Sequence, residues 1–157
     1  MKRMISLLIA LVMIIALPLH ANAATSNTNN YFNLYPSNTR INADGTFTFN
    51  FHGEVPSNRN FIATSSRITL VATGQLYSED PNARLNPDKV TYTISLYKVG
   101  MTNPVGSLTG KANGSTVSIN FNVNTGAEYY FIIRSSSNIG MYEHIAGSGD
   151  LSGIYIV

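Results

Sequence analysis

From position 46 the chain reads TFTFNFH, and the alternation within those seven residues constrains the fold more than any other feature. Phe47, Phe49 and Phe51 share one parity while Thr48, Asn50 and His52 take the other, the period of a strand with one dry and one wet face. The period returns at Ile68, Leu70 and Ala72, at Val90, Tyr92, Ile94 and Leu96, and at Val117, Ile119, Phe121 and Val123. Polar residues fill the gaps, Thr91, Thr93 and Ser95 in the third run and Ser118, Asn120 and Asn122 in the fourth. GIYIV at the C-terminus reads as a last short strand. Half-buried strands of this kind belong to antiparallel sheets. About seven or eight of them, punctuated by turns, predict an all-β chain folded as an antiparallel, jelly-roll-like β-sandwich, with a closed barrel as the alternative.

Turn chemistry separates the runs. Asp44-Gly45, Asn113-Gly114 and Thr125-Gly126 sit between strand candidates, where glycine supplies the positive φ of a tight hairpin. Asn113-Gly114 is the sharpest of these and predicts a two-residue hairpin joining a strand at 106–111 to one at 116–123. The segment SEDPNARLNPDK, residues 78–89, holds Pro81 and Pro87 and is the longest irregular stretch.

The N-terminus bears on location. Lys2 and Arg3 precede the apolar stretch from Met4 to Leu17, followed by Pro18 and Ala21-Asn22-Ala23. That order is a secretory signal peptide, residues 1–23, with cleavage expected after Ala23 and the mature protein expected outside the cell. The run is shorter than the roughly 20 residues of a spanning helix, so no stable membrane insertion is expected after cleavage. Residues 24–30, ATSNTNN, read as a flexible lead-in, and 31–157 as one sandwich domain. Lys2 and Arg3 are two of the ten basic residues, so the mature chain carries eight against eight acidic ones. A neutral, dispersed charge argues against nucleic acid or anionic lipid as partner. The chain has no cysteine, which removes disulfides, thiol catalysis and thiolate metal sites and points to a bacterial source.

The succession VTYTISLYKVG, NGSTVSINFNVNTGAEYYFIIRSSS and LSGIYIV, within residues 90–157, resembles the secreted bacterial pre-peptidase C-terminal domain and related carbohydrate-binding jelly rolls. The resemblance implies an accessory or binding module rather than a catalytic domain, and transfers no functional residue.

Chemistry-bearing motifs are few. His144, Ser148 and Asp150 lie close in GMYEHIAGSGD, which lacks the G-x-S-x-G elbow and reads as a polar, glycine-rich loop. The stretch 106–112 falls one residue short of a phosphate loop and has Ala112 where Ser or Thr must hold Mg²⁺. No cofactor is expected, calcium being the one metal weighed: Glu79, Asp80, Asn82 and Asp88 put four oxygen-bearing side chains in one loop, against the six to eight ligands calcium takes.

Surface recognition remains. The chain has nine tyrosines, and tyrosine offers a flat apolar ring with a polar tip at low entropic cost. The expected outward set is Asn50, His52, Tyr97, Asn120, Asn122, Tyr130 and Arg134, suited to a glycan or an extracellular protein partner. In EYYFIIRS the alternation sends Tyr129 to the core and Tyr130 outward. A secreted, non-catalytic binding module is thus the first expectation. A small toxin, a protease inhibitor presenting Arg84, and an uncharacterised extracellular enzyme are the alternatives. Oligomeric state stays open at this level.

Overall fold

The computed structural model describes residues 37–135 and 139–157, so the expected signal peptide and lead-in lie outside the described residues. Among these residues eleven strands run in chain order: β1 (Asn38–Ile41), β2 (Thr46–Phe51), β3 (Glu54–Pro56), β4 (Phe61–Ala63), β5 (Arg67–Ser78), β6 (Thr91–Lys98), β7 (Gly106–Lys111), β8 (Asn113–Asn122), β9 (Glu128–Ser135), β10 (Glu143–Ser152) and β11 (Ile154–Ile156). They form two sheets. The first has the order β1-β2-β10-β5-β8; the second is β11-β4-β9-β6-β7, with β3 paired to β9 beside β4. Every ladder is antiparallel. Among the described residues the count exceeds seven or eight because β1, β3 and β4 have only three or four residues each, too few to display a period, and because β10 reads in the sequence as a glycine-rich loop.

The dry parities meet between the sheets. Phe47, Phe49 and Phe51, Ile68, Leu70 and Ala72 face Tyr92, Ile94, Leu96, Tyr129, Phe131 and Ile133, all buried. Rings bridge the gap directly: Phe47 lies 5.1 Å from Phe131 and Phe49 lies 5.8 Å from Tyr92. Such pairs contribute about 0.5–1.5 kcal/mol each beyond the area they bury.

The glycine-rich stretch near the C-terminus is not a loop. It is β10, the central strand of the first sheet, paired with β2 on one side and β5 on the other. A Cβ on Gly147 would stand 2.4 Å from Phe49 Cζ, and one on Gly149 2.3 Å from Phe47 Cζ. The phenyl rings of β2 therefore lie over bare backbone of the neighbouring strand, which makes glycine necessary where it weakens an ordinary strand. Tyr92 is seated in the same way, between Gly74 of β5 and Gly110 of β7, at 2.6 and 2.7 Å from their notional Cβ atoms. Its hydroxyl finds no well-formed hydrogen bond. Burial pushes the phenol up to about 12, and the nearby backbone of Gly74 offsets only a small part of that rise.

Of the three glycine turns, only Asp44-Gly45 closes a hairpin, between β1 and β2. Gly45 has φ +90°, and Asp44 Oδ1 accepts from both the backbone N–H and the hydroxyl of Thr46, at 3.0 and 2.7 Å. These bonds hold the Asp44 carboxyl below the usual carboxylate range. Asn113-Gly114 does not join a hairpin: β7 pairs with β6 and β8 with β5, so the chain changes sheets there. Buried Ala112 makes the crossing, donating to Val90 O at 2.8 Å and accepting from Leu76 N at 2.9 Å. Gly114, at φ +82°, then absorbs a register shift opposite Thr73 and Gln75. Thr125-Gly126 likewise carries the chain from β8 back to β9 in the second sheet.

Candidate functional site

The outer face of the second sheet is where aromatic residues gather. Tyr129 points inward and is 1% exposed, so its neighbours Glu128, Tyr130, Ile132 and Arg134 occupy the outer side of β9. Antiparallel register sets Tyr97 opposite Tyr130, Ser95 opposite Ile132 and Thr93 opposite Arg134. The two tyrosine rings stack at 5.3 Å with 15° between their planes. Arg134 reaches back along the strand, its Nη1 donating to the Tyr97 hydroxyl at 3.4 Å and its Nε donating to the Glu54 carboxylate of β3. Those two bonds, Glu54 first, raise the guanidinium above its ordinary range.

The band extends across neighbouring strands. Pro56 pairs with Ile132, Ile62 with Glu128, and Tyr155 of β11 with Ile62. Tyr155 is 65% exposed. Polar ladders border the band: Thr93 and Thr109 hydroxyls lie 3.0 Å apart, Ser95 and Ser107 hydroxyls 2.8 Å apart, and Asn60 Nδ2 donates to Glu128 at 2.8 Å.

The structure divides the expected outward set between two faces. Tyr97, Tyr130 and Arg134 come together as described. Tyr97 is nevertheless only 8% exposed, because Tyr130 lies against its ring and Arg134 covers its hydroxyl; it backs the site and does not offer a free ring. Asn120 and Asn122 of β8, with Asn50 and His52 of β2 and the residue after it, belong to the outer face of the first sheet, on the opposite side of the sandwich. There Thr69 Oγ1 donates to Asn120 Oδ1 at 2.7 Å and Asn122 stands opposite Arg67. Asn122 also lines a cleft of about 270 Å³ with Lys98, Met101, Val105 and Asn124.

His52 lies one step beyond the Phe51–Ile145 pair, at the level of His144, with its Nδ1 2.8 Å from the Glu143 carbonyl. His144 stacks on Tyr77 at 5.5 Å. Burial pushes its imidazole below the ordinary histidine range, Glu79 pulls it back, and His52 pushes it down further. His144, Ser148 and Asp150 share one face of β10, and at about 3.4 Å per residue the first two stand roughly 14 Å apart, so they form no triad.

Of the oxygen-bearing side chains of the 78–89 loop weighed as calcium ligands, Asp80, Asn82 and Asp88, the two carboxylates are engaged in separate turns. Asp80 Oδ1 closes a turn on the Asn82 N–H at 2.9 Å, while Asp88 Oδ1 accepts from Asn113 Nδ2 at 2.7 Å. Among the described residues no three His, Asp or Glu side chains gather as a metal group, because these oxygens fasten separate turns.

Tyr155, Ile62 and Glu54 were absent from the expected set. Tyr155 had a signal in the sequence, since Ile154 and Ile156 on either side share the opposite parity. Ile62 and Glu54 had none, lying on strands of three residues.

No family model matches the chain, nor does any curated protein. Among solved structures, the chain is similar to a family two carbohydrate esterase from Cellvibrio japonicus, with 16% identity, TM-score 0.40, and coverage of 76% of this chain and 30% of the esterase. It is also similar to a family 61 carbohydrate-binding module solved with beta-1,4-galactotriose, with 14% identity, TM-score 0.32, and coverage of 77% of this chain and 69% of the module. The chain thus spans less than a third of the esterase's length.

Proposed function

We propose that this protein is a non-catalytic module that binds a glycan on the outer face of the second sheet, outside the cell after loss of residues 1–23. The observation that carries the reading is the Tyr130 ring, held in place by Tyr97 beneath it, with exposed Tyr155 on the same face. Two strand spacings of about 4.8 Å and a two-residue offset of about 3.4 Å per residue put Tyr130 and Tyr155 roughly 12 Å apart at Cα. That separation suits rings that meet successive units of an extended chain. Sugar rings present apolar C–H faces for stacking and hydroxyls for the Ser, Thr, Asn and Glu groups that border the band. Arg134 is paired with Glu54, which leaves the face without the clustered free cations that phosphate or anionic lipid requires.

Pull-down of the protein on insoluble polysaccharides and cell walls tests the reading. Retention on at least one glycan is expected, falling at least tenfold in Tyr130→Ala and in Tyr155→Ala with the fold intact. Retention on no glycan, or retention indifferent to both substitutions, rejects it. Export is checked separately, by N-terminal sequencing of protein recovered from the medium, which should begin at Ala24.

A further inference from the structure

The edges of a sandwich present unpaired backbone groups, and most of the edges here are blunted. β1 has four residues, and the Asn58 side chain occupies the Ile41 N–H at 2.9 Å. β3 and β11 have three residues each, β3 bearing Glu54 and Pro56. β7 is six residues long and ends on Lys111. β8 differs: it is ten residues, NGSTVSINFN, without a charge or a proline, and among the described residues it pairs only with β5.

The direction of its free groups follows from the ladder. Val123 N donates to Ser66 O at 3.0 Å, which makes that pair hydrogen-bonded. Alternation along an antiparallel ladder then aims the N–H and C=O of Val117, Ile119 and Phe121 at β5, and those of Thr116, Ser118, Asn120 and Asn122 away from it. On the core side Val117 and Ile119 are only partly buried.

We propose that β8 is a self-association edge, pairing antiparallel with β8 of a second copy so that the first sheets of two molecules become continuous. One two-fold register uses all four outward residues: Thr116 opposite Asn122 and Ser118 opposite Asn120, giving about eight main-chain hydrogen bonds, with the axis passing at Ile119. The side chains meet without conflict. Outside, every pair is uncharged and able to hydrogen-bond; inside, Val117 faces Phe121 and Ile119 faces its own copy, extending the apolar row. A second copy fits because the edge is complementary to itself and carries no charge to repel its twin.

The chain has no cysteine, so a single engineered one reports register cleanly. In this register the two Ile119 Cα atoms stand about 4.5 Å apart, within the range a disulfide spans. Sedimentation of the unmodified protein should give twice the monomer mass. Ile119→Cys should cross-link on oxidation, whereas Ser107→Cys, on the edge strand of the second sheet, should not. Ser118→Pro removes an outward N–H without touching the β5 ladder and should yield a folded monomer. Should that variant fail to fold, Ile119→Lys sets two ammonium groups against each other at the axis and should also give a monomer. A protein that sediments as a monomer at several hundred micromolar, a dimer that survives both Ile119→Lys and any folded Ser118→Pro, or cross-linking equal at positions 107 and 119 overturns the proposal.

Discussion

The two outer faces of this sandwich are built from the same wet parity and differ in content. On the first sheet the outward residues are mostly Thr, Ser and Asn tied into local ladders such as Thr69–Asn120 and Thr73–Thr116, with the Tyr77–His144 stack at one end of the sheet. On the second sheet they include a stacked tyrosine pair, two isoleucines, a proline and an exposed tyrosine. A mostly polar face tied into its own ladders exposes little apolar area, whereas an aromatic band half-shielded by its own side chains keeps apolar area in contact with water. Side-chain content, with backbone geometry held equal, is what separates the face proposed for recognition from the plainer one.

Substitutions at matched positions sharpen the contrast, beginning with the strongest. Tyr129→Ala should cost about 3–5 kcal/mol in denaturant unfolding, since it empties a core site also held by the 2.9 Å bond from Asn124 N–H to the Tyr129 hydroxyl. Its neighbour Tyr130→Ala should lose only the ring pairing, about 0.5–1.5 kcal/mol, while abolishing glycan retention. An equal loss of stability at both positions would break the assignment of the two tyrosines to different faces.

Alkaline pH probes the core between the faces. The Tyr92 phenol is raised in the folded state from 10.0 to about 12, so the native protein holds a proton that the unfolded chain releases. Stability is therefore complete below pH 10 and declines as pH climbs toward 12, by up to about 3 kcal/mol. Tyr92→Phe should remove that decline and, by deleting a buried hydroxyl that lacks a good hydrogen bond, should leave the protein at neutral pH as stable as before or slightly more so.

Smaller effects complete the series. Arg134→Ala should change stability by less than about 1 kcal/mol, an effect that shrinks in salt, because the ion pair with Glu54 is about half exposed on both sides. It should also loosen Tyr97 and so weaken retention less than Tyr130→Ala does. Asn120→Ala and Asn50→Ala, on the opposite face, should leave retention unchanged in the same pull-down; a loss there equal to that of Tyr130→Ala would erase the distinction between the faces.

Much of the sandwich was legible in the sequence, and the illegible parts share a cause. Period two reveals which residues of a strand point the same way, and it placed Phe47, Leu70, Ile94, Tyr129 and Ile133 correctly in the core. It does not reveal which sheet a strand joins, because that depends on partners tens of residues distant. Tyr130 and Asn120 therefore looked like members of one surface although the sandwich lies between them. Asn113-Gly114 misled for the same reason: positive φ serves a sheet change with a register shift as well as it serves a hairpin. β10 was hidden by Gly147 and Gly149, whose purpose is visible only once the rings of Phe47 and Phe49 are seen across the ladder.

The place of β10 also governs how the molecule can be made. It is the last long strand in the chain, yet it stands between β2 and β5 in the first sheet. Without residues 143–152 the strands of that sheet fall into two pairs that share no ladder, β1 with β2 and β5 with β8. Closing the sheet therefore requires long-range pairing of one glycine-bearing strand with two others far back in the chain, a topology that slows folding and makes completion of the first sheet depend on residues 143–152.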